Sequence, residues 1–501
     1  MNRDSILREI DHSRASYDFL VIGGGATGLG VALDASTRGF RTLLVEQADF
    51  AEATSSRSTK LIHGGVRYLK QLNVSLVRES LNEREFLIRQ APELVKWRKF
   101  VIPLYSQWER VYYAAGLKAY DALAGHFFNR RSEWLSRSET IAELPGVNPT
   151  HLAGGISYWD GQFDDAALAI SLVNRIHEAG GHALNYVRFK SFIKEGDKTA
   201  GAVVSDRETN TSYEIKAKII VNATGVFSDG IRKLDSKHDS ELIAASRGSH
   251  IILPATRIGG DVAMMVPKTR DGRVLFAIPW LGKTLIGTTD IPVESIEAEP
   301  TPTVGEIDFL LNHANEYLNT QSSEADILSC FAGLRPLLQN PDSKSTAALP
   351  RDHHIERSRS GLITIVGGKW TTFRKMAEDT IDTAIKSTGM KMRPCRTRTL
   401  EIRAVWNEPI VHPIDSRLAI DKRRIDHALD FEFARTVTDI LSRRTRSLLL
   451  DTQAAIDIAP AVGAQIAAKR NLAEEQMNQQ IGEFIKLARR HLPSGIITKQ
   501  L

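Results

Sequence analysis

The residues best suited to chemistry open the first apolar block of the chain. Tyr17-Asp18-Phe19-Leu20-Val21-Ile22 runs straight into Gly23-Gly24-Gly25-Ala26-Thr27-Gly28, a G-x-G-x-x-G spacing at the join of a strand and a helix. Gly23 permits the tight turn, Gly25 lets backbone approach a pyrophosphate, and Gly28 lets the helix pack close to the strand. The amides of the helix N-terminus then face the anion. Glu46 ends the next apolar run, Arg41-Thr42-Leu43-Leu44-Val45-Glu46, 18 residues beyond Gly28, where a carboxylate can accept ribose hydroxyls. The implied chemistry is dinucleotide binding, and an acid rather than arginine at that position favours FAD or NAD over NADP.

Three further clusters have ligand-facing composition. Thr54-Ser55-Ser56-Arg57-Ser58-Thr59-Lys60-Leu61-Ile62-His63-Gly64-Gly65-Val66-Arg67-Tyr68 is crowded with hydroxyls, bases and glycines. Ile219-Ile220-Val221 ends in Asn222-Ala223-Thr224-Gly225, and Leu362-Ile363-Thr364-Ile365-Val366 ends in Gly367-Gly368-Lys369-Trp370-Thr371-Thr372 before a helix. That second helix N-terminus suits the electron-rich pyrimidine edge of a reduced flavin, which makes FAD the expected cofactor. Its expected contacts are Gly23, Gly25, Gly28, Glu46, Thr54, Ser55, Ser56, Lys60, Gly64, Gly65, Ala223, Gly225, Gly368, Lys369, Thr371 and Thr372. Arg335 and Arg351, on loops beside the last of these segments, join Lys369 in suiting an anionic substrate.

These residues need elements to hold them. The expected architecture is α/β: a Rossmann-like FAD-binding domain of the glutathione-reductase type, assembled from 17–90, 151–240 and 331–390. A substrate or cap domain (91–150 and 241–330) follows from the short β-type runs His250–Leu253, Val274–Ile278 and Thr284–Gly287, which suggest an antiparallel sheet over the flavin. A helical domain takes 395–501. The 501 residues leave room for about three domains at the usual ~150 residues each.

Hydrophobic residues at 42% and charged residues at 25% are ordinary for a globular enzyme and exclude disordered and fibrous classes. Cys330 and Cys395 can form neither a disulfide framework nor a clustered metal site, so a reducing compartment is expected and Cys330 reads as a buried thiol. No stretch is apolar enough to span a bilayer, and no secretory signal opens the chain. The net charge of +5 suits an anionic lipid surface or anionic substrates, and no nucleic-acid partner is expected.

The motif from Gly23 to Tyr68 closely resembles FAD-dependent glycerol-3-phosphate dehydrogenases. Asp160-Gly161-Gln162-Phe163-Asp164-Asp165-Ala166, Arg247-Gly248-Ser249-His250, Ile286-Gly287-Thr288-Thr289-Asp290, Gly333-Leu334-Arg335-Pro336 and Gly367–Thr372 follow in that family's order. Ser442-Arg443-Arg444-Thr445-Arg446 is similar to its C-terminal helical domain, and the wording is most like the mitochondrial-type members. Calcium-binding loops are missing, Ala167 stands where Arg is common, and Phe373 where Tyr is common.

The resemblance implies oxidation of sn-glycerol 3-phosphate to dihydroxyacetone phosphate, with electrons passed to a membrane quinone. An oxidase using oxygen is the alternative. On this reading Arg335 and Arg351 fork the phosphate, Arg67 and Tyr68 line the pocket, and Lys369 adds charge near flavin and substrate. His63 is the preferred base, since an ordinary imidazole pKa near 6.5 suits proton removal at neutrality, and His250 is second. Trp108–Tyr113 through Tyr120, with Arg130 and Arg131, suits a helix at an anionic membrane interface, giving a cytoplasmic protein peripherally attached to the inner face of the cell membrane. A homodimer is compatible with this reading.

Overall fold

A computed structural model describes residues 3–12, 16–65, 74–106, 113, 116–117, 120, 130–236, 240–267, 269, 273–339 and 352–493. Arg67, Tyr68 and Arg351, and most of the stretch read as an interfacial helix, lie outside these residues.

The strand Tyr17–Ile22 lies at the centre of an eight-stranded sheet. It pairs in parallel with Thr42–Val45 on one side and Ser212–Asn222 on the other. His182–Leu184 and Ile363–Gly367 extend the parallel set outward, and His353–Arg357 closes one edge antiparallel. Parallel strands are buried on both faces, which is why the first strand reads as a continuous apolar run. Phe19 and Val21 face helices Ala26–Thr37, Asp165–Glu178 and Phe373–Thr388, while Leu20 and Ile22 face helix Arg3–His12 and the ribbon Val187–Glu195/Lys198–Asp206. Each fully buried aliphatic or aromatic side chain contributes roughly 1.5–3 kcal/mol.

The second sheet has ten strands and is almost wholly antiparallel. Val95–Leu104 pairs with Gly154–Phe163, and Ile243–Pro254 lies between Lys283–Gly287 and Ser329–Leu338. Sheet membership differs here from the sequence-based division. Leu61–Ile62 and Gly154–Phe163, read with the cofactor domain, and Ser329–Leu338, read with it from Phe331 onward, pair in the second sheet. Alternation in a strand reports which face is buried and is silent on which strand lies alongside.

Helices Lys422–Phe431, Thr452–Arg470 and Glu474–Arg489 pack against this second sheet, joining Phe100, Ile252 and Phe331 to Leu448, Ile458 and Phe484 in one core. Cys330 is buried, its thiol donates to the His491 carbonyl at 3.3 Å, and burial pushes its pKa up to about 12. Among the described residues no helix is long and apolar enough to cross a membrane, and no cluster of side chains could hold a metal ion.

Candidate active site

The carboxyl ends of the parallel strands open into a cavity of about 1140 Å³. Gly23, Gly25, Glu46, Thr54, Ser55, Ala223, Gly225, Gly368 and Lys369 line it, so four segments far apart in sequence meet at the point where open α/β sheets bind ligands. At Gly23 and at Gly28 of the same turn nothing larger fits. Gly23 has φ +110, and a Cβ on it would stand 2.7 Å from the Ala223 carbonyl oxygen. A Cβ on Gly28 would stand 1.9 Å from the Gly23 carbonyl oxygen. Gly28 therefore lies beneath the turn and lets the helix approach it.

Glu46 is fixed by two amides: Gly24 N–H donates to Oε2 at 2.7 Å and Ala48 N–H to Oε1 at 2.8 Å. Burial raises its pKa, and these two donors pull the other way. Ser55 Oγ accepts from the Ala26 amide at 2.9 Å, which ties the serine-rich segment to the helix start. Trp370 Nε1 donates to the Ser55 carbonyl at 2.8 Å, so the last segment is hooked onto the first. Lys369 Nζ lies 3.5 Å from Ser80 Oγ at the cavity wall. Thr371 and Thr372 are buried at the start of helix Phe373–Thr388, with the Thr371 hydroxyl 3.5 Å from the His63 carbonyl.

Lys60 and Ser56 stand behind the cavity rather than on it. The Lys60 amine is fully buried and donates to both Asp165 oxygens and to the Ser56 carbonyl, each at 2.8 Å. Its polar end thus turns inward toward a carboxylate 105 residues away. His250 is also interior: Nε2 is 2.9 Å from the Thr59 hydroxyl and the ring stacks on Phe331 at 4.8 Å. Burial first, then Arg335 and Lys60, hold its pKa well below the ordinary imidazole value. His63 is half-buried, and Gly64 beside it donates its amide to Asp160 Oδ1 at 3.2 Å. Gly65, with φ +79, ends the described part of this segment.

Arg335 is fixed by neighbours from one turn. Its guanidinium reaches Asp290 at 3.3 Å, the Thr288 hydroxyl at 3.0 Å and the Thr289 carbonyl at 3.0 Å. Gly248 opposes it, and a Cβ there would meet the guanidinium at 2.2 Å. Composition alone did not mark the network that holds the His63–Gly64 segment. Arg84 donates to Asp160 at 2.7 Å and to Tyr120 Oη at 2.9 Å, and Tyr120 donates to Asp160 at 3.2 Å. The available signal was Asp160 at the head of an ordered motif. Glu52 was also missed: it lines the cavity, and burial, with Arg443 opposing and Glu299 nearby, pushes its pKa up to about 7.

Comparison with known proteins fits this geometry. The family model described as FAD dependent oxidoreductase matches residues 18–374. "Glycerol-3-phosphate dehydrogenase, mitochondrial" of Homo sapiens is 35% identical over 544 residues, covering 96% of this chain and 75% of that protein. The same-named protein of Saccharomyces cerevisiae is 40% identical over 439 residues, covering 79% and 68%. The chain belongs to the FAD-dependent glycerol-3-phosphate dehydrogenases.

Among solved structures, the glycerol-3-phosphate dehydrogenase of Bacillus halodurans complexed with FAD superposes with a TM-score of 0.79 at 27% identity, covering 98% of both chains. The L-alpha-glycerophosphate oxidase of Mycoplasma pneumoniae shares the fold, with a TM-score of 0.61 at 18% identity. FAD is the cofactor of the family, and the glycine turn, the Glu46 carboxylate and the cavity volume fit its ADP half.

Proposed function

We propose that the enzyme oxidises sn-glycerol 3-phosphate to dihydroxyacetone phosphate and passes the electrons to a membrane quinone. The observation that carries this reading is the guanidinium of Arg335, fixed by Asp290, Thr288 and Thr289, on the strand whose next residue, Pro336, lines the cofactor cavity together with Lys369. A planar fork held from behind is pre-organised for a phosphate dianion. The names of the relatives support the same substrate.

FAD, when bound, supplies the hydride acceptor. The chain's own residues do the rest. Arg335 and Arg351 bind the phosphate, with Arg67 and Tyr68 lining the pocket. Lys369, on the cavity wall, would supply positive charge to a bound flavin and an anionic substrate. His63 takes the hydroxyl proton, and the Arg84–Asp160–Tyr120 network holds the backbone beside it. Because burial keeps His250 neutral and its Nε2 is engaged by Thr59, that imidazole positions the Thr59 turn. Contact with an anionic membrane surface at the inner face of the cell membrane would bring the quinone within reach.

The yellow holoenzyme mixed anaerobically with sn-glycerol 3-phosphate should lose its flavin absorbance, and persistence of the oxidised spectrum would overturn the reading. A quinone analogue should then reoxidise the flavin much faster than air. Faster reoxidation by air would make the enzyme an oxidase. In stopped flow, His63→Asn should slow flavin reduction by about 10²–10⁴-fold, the usual worth of a general base.

A further inference from the structure

The arginine-rich segment at Ser442–Arg446 lies in the described fold outside the cofactor cavity and lines a second one. This cavity is about 670 Å³, within the usual range for a small-molecule site, and shares no lining residue with the first. It is bounded by the sheet strands through Lys96, Arg98 and Gln162, by the start of helix Asp165–Glu178, and by the C-terminal region. Six cationic side chains line it (Lys96, Arg98, Arg424, Arg443, Arg444 and Arg446) against three carboxylates, Glu93, Asp164 and Glu432.

Those carboxylates do not satisfy the cations. Arg424 is only 5% exposed, and its Nη2 donates to Glu432 at 2.9 Å and to the Arg444 carbonyl at 2.6 Å, while Nη1 is buried with no hydrogen-bond partner. Arg443 lies within its ion pairs to Asp49 and Asp439, and its Nη1 is also buried without a partner. Arg446 reaches Asp164 at 2.9 Å, and its Nε lacks a partner too. A buried guanidinium donor left unpaired is costly, and its usual explanation is an absent acceptor.

The backbone is irregular at the same place. Asp439–Arg444 is π-helical, and Arg446 follows in the left-handed region at φ 58. Such departures gather at functional sites. Trp406, under the Arg424 guanidinium at 5.3 Å, and Trp280 give the cavity flat apolar walls.

We propose that this cavity is a binding site for a phosphate-bearing anion, held by Arg98, Arg424 and Arg446 with Lys96 at its mouth, and separate from the catalytic site. Bound there, the anion bridges the second sheet, the helix that follows Asp164 and the C-terminal helices.

The test is calorimetric titration of the FAD-loaded enzyme with inorganic pyrophosphate at low ionic strength. Saturable binding at one site is expected. The double variant Lys96→Gln/Arg446→Gln should weaken it by about tenfold or more, with flavin absorbance and basal turnover unchanged. Ala167→Met, which fills the cavity without altering charge, should weaken it comparably. Should the charge variant fail to fold, the filling variant decides. No saturable binding to the wild type overturns the proposal, and so does binding that both variants leave intact, since the anion then sits elsewhere. None of these outcomes depends on the identity of the enzyme's substrate.

Discussion

Glu52 illustrates how little at the residue scale depends on residue type alone. Burial raises its carboxyl pKa to about 7, so the folded protein holds that proton where the unfolded chain, with an ordinary value of 4.5, has lost it. A raised carboxyl contributes stability that is complete below pH 4.5 and lost as pH rises through 7. Glu52→Gln should therefore raise the melting temperature at pH 8, by about 1–2 kcal/mol in stability, with a smaller gain at pH 5. Thermal scans at both pH values check the sign. Lys60 and Asp165 form a fully buried pair in which burial lowers the Lys60 pKa and the neighbouring carboxylate opposes that fall. Asp165→Asn would strand the ammonium and should cost about 3–5 kcal/mol, read from denaturant midpoints. Sequence placed Lys60 on the cofactor because a lysine in a hydroxyl-rich loop reads as ligand-facing, and nothing local announces a partner 105 residues downstream. The glycines were more legible, since a turn with no room for Cβ excludes every other residue whatever surrounds it.

At the scale of elements, the joints between strand and helix were the clearest part of the sequence. Tyr17–Ile22 and the helix from Ala26, and Ile363–Gly367 and the helix from Phe373, stand where apolar runs and glycines placed them. Gly28→Ala tests the first joint. The added carbon would collide with the Gly23 carbonyl oxygen, so the purified protein should retain little flavin by absorbance while far-ultraviolet circular dichroism stays near wild type. The pairing of Gly154–Phe163 and Ser329–Leu338 was hidden, because their partners are chosen by tertiary packing and a strand carries no address. Arg335 was read as a loop cation, but it lies within strand Ser329–Leu338, paired with Ser246, and the Asp290–Thr288–Thr289 turn that aims it became visible only in three dimensions.

At the scale of the whole molecule, one carboxylate joins the cofactor sheet to the C-terminal region. Asp49, just beyond the second parallel strand, takes Arg444 at 2.6 and 2.8 Å and pairs with Arg443 as well. Burial opposes its ionisation, but Arg444 and Arg443 hold its pKa below the ordinary carboxylate range. Asp49→Asn would leave two buried guanidiniums undercompensated. About 3–5 kcal/mol should be lost, and limited proteolysis should cut first in the C-terminal region.

The cofactor sheet, finally, is stitched from strands at Tyr17–Ile22, Thr42–Val45, His182–Leu184, Ser212–Asn222 and Ile363–Gly367. A nascent chain thus leaves the ribosome with its glycine turn already made but two neighbouring strands still to come. Until the segment through Thr372 emerges, the half-built sheet keeps an open edge and its cofactor has no closed seat. Translation, in this enzyme, must pass Thr372 before the flavin can be locked in.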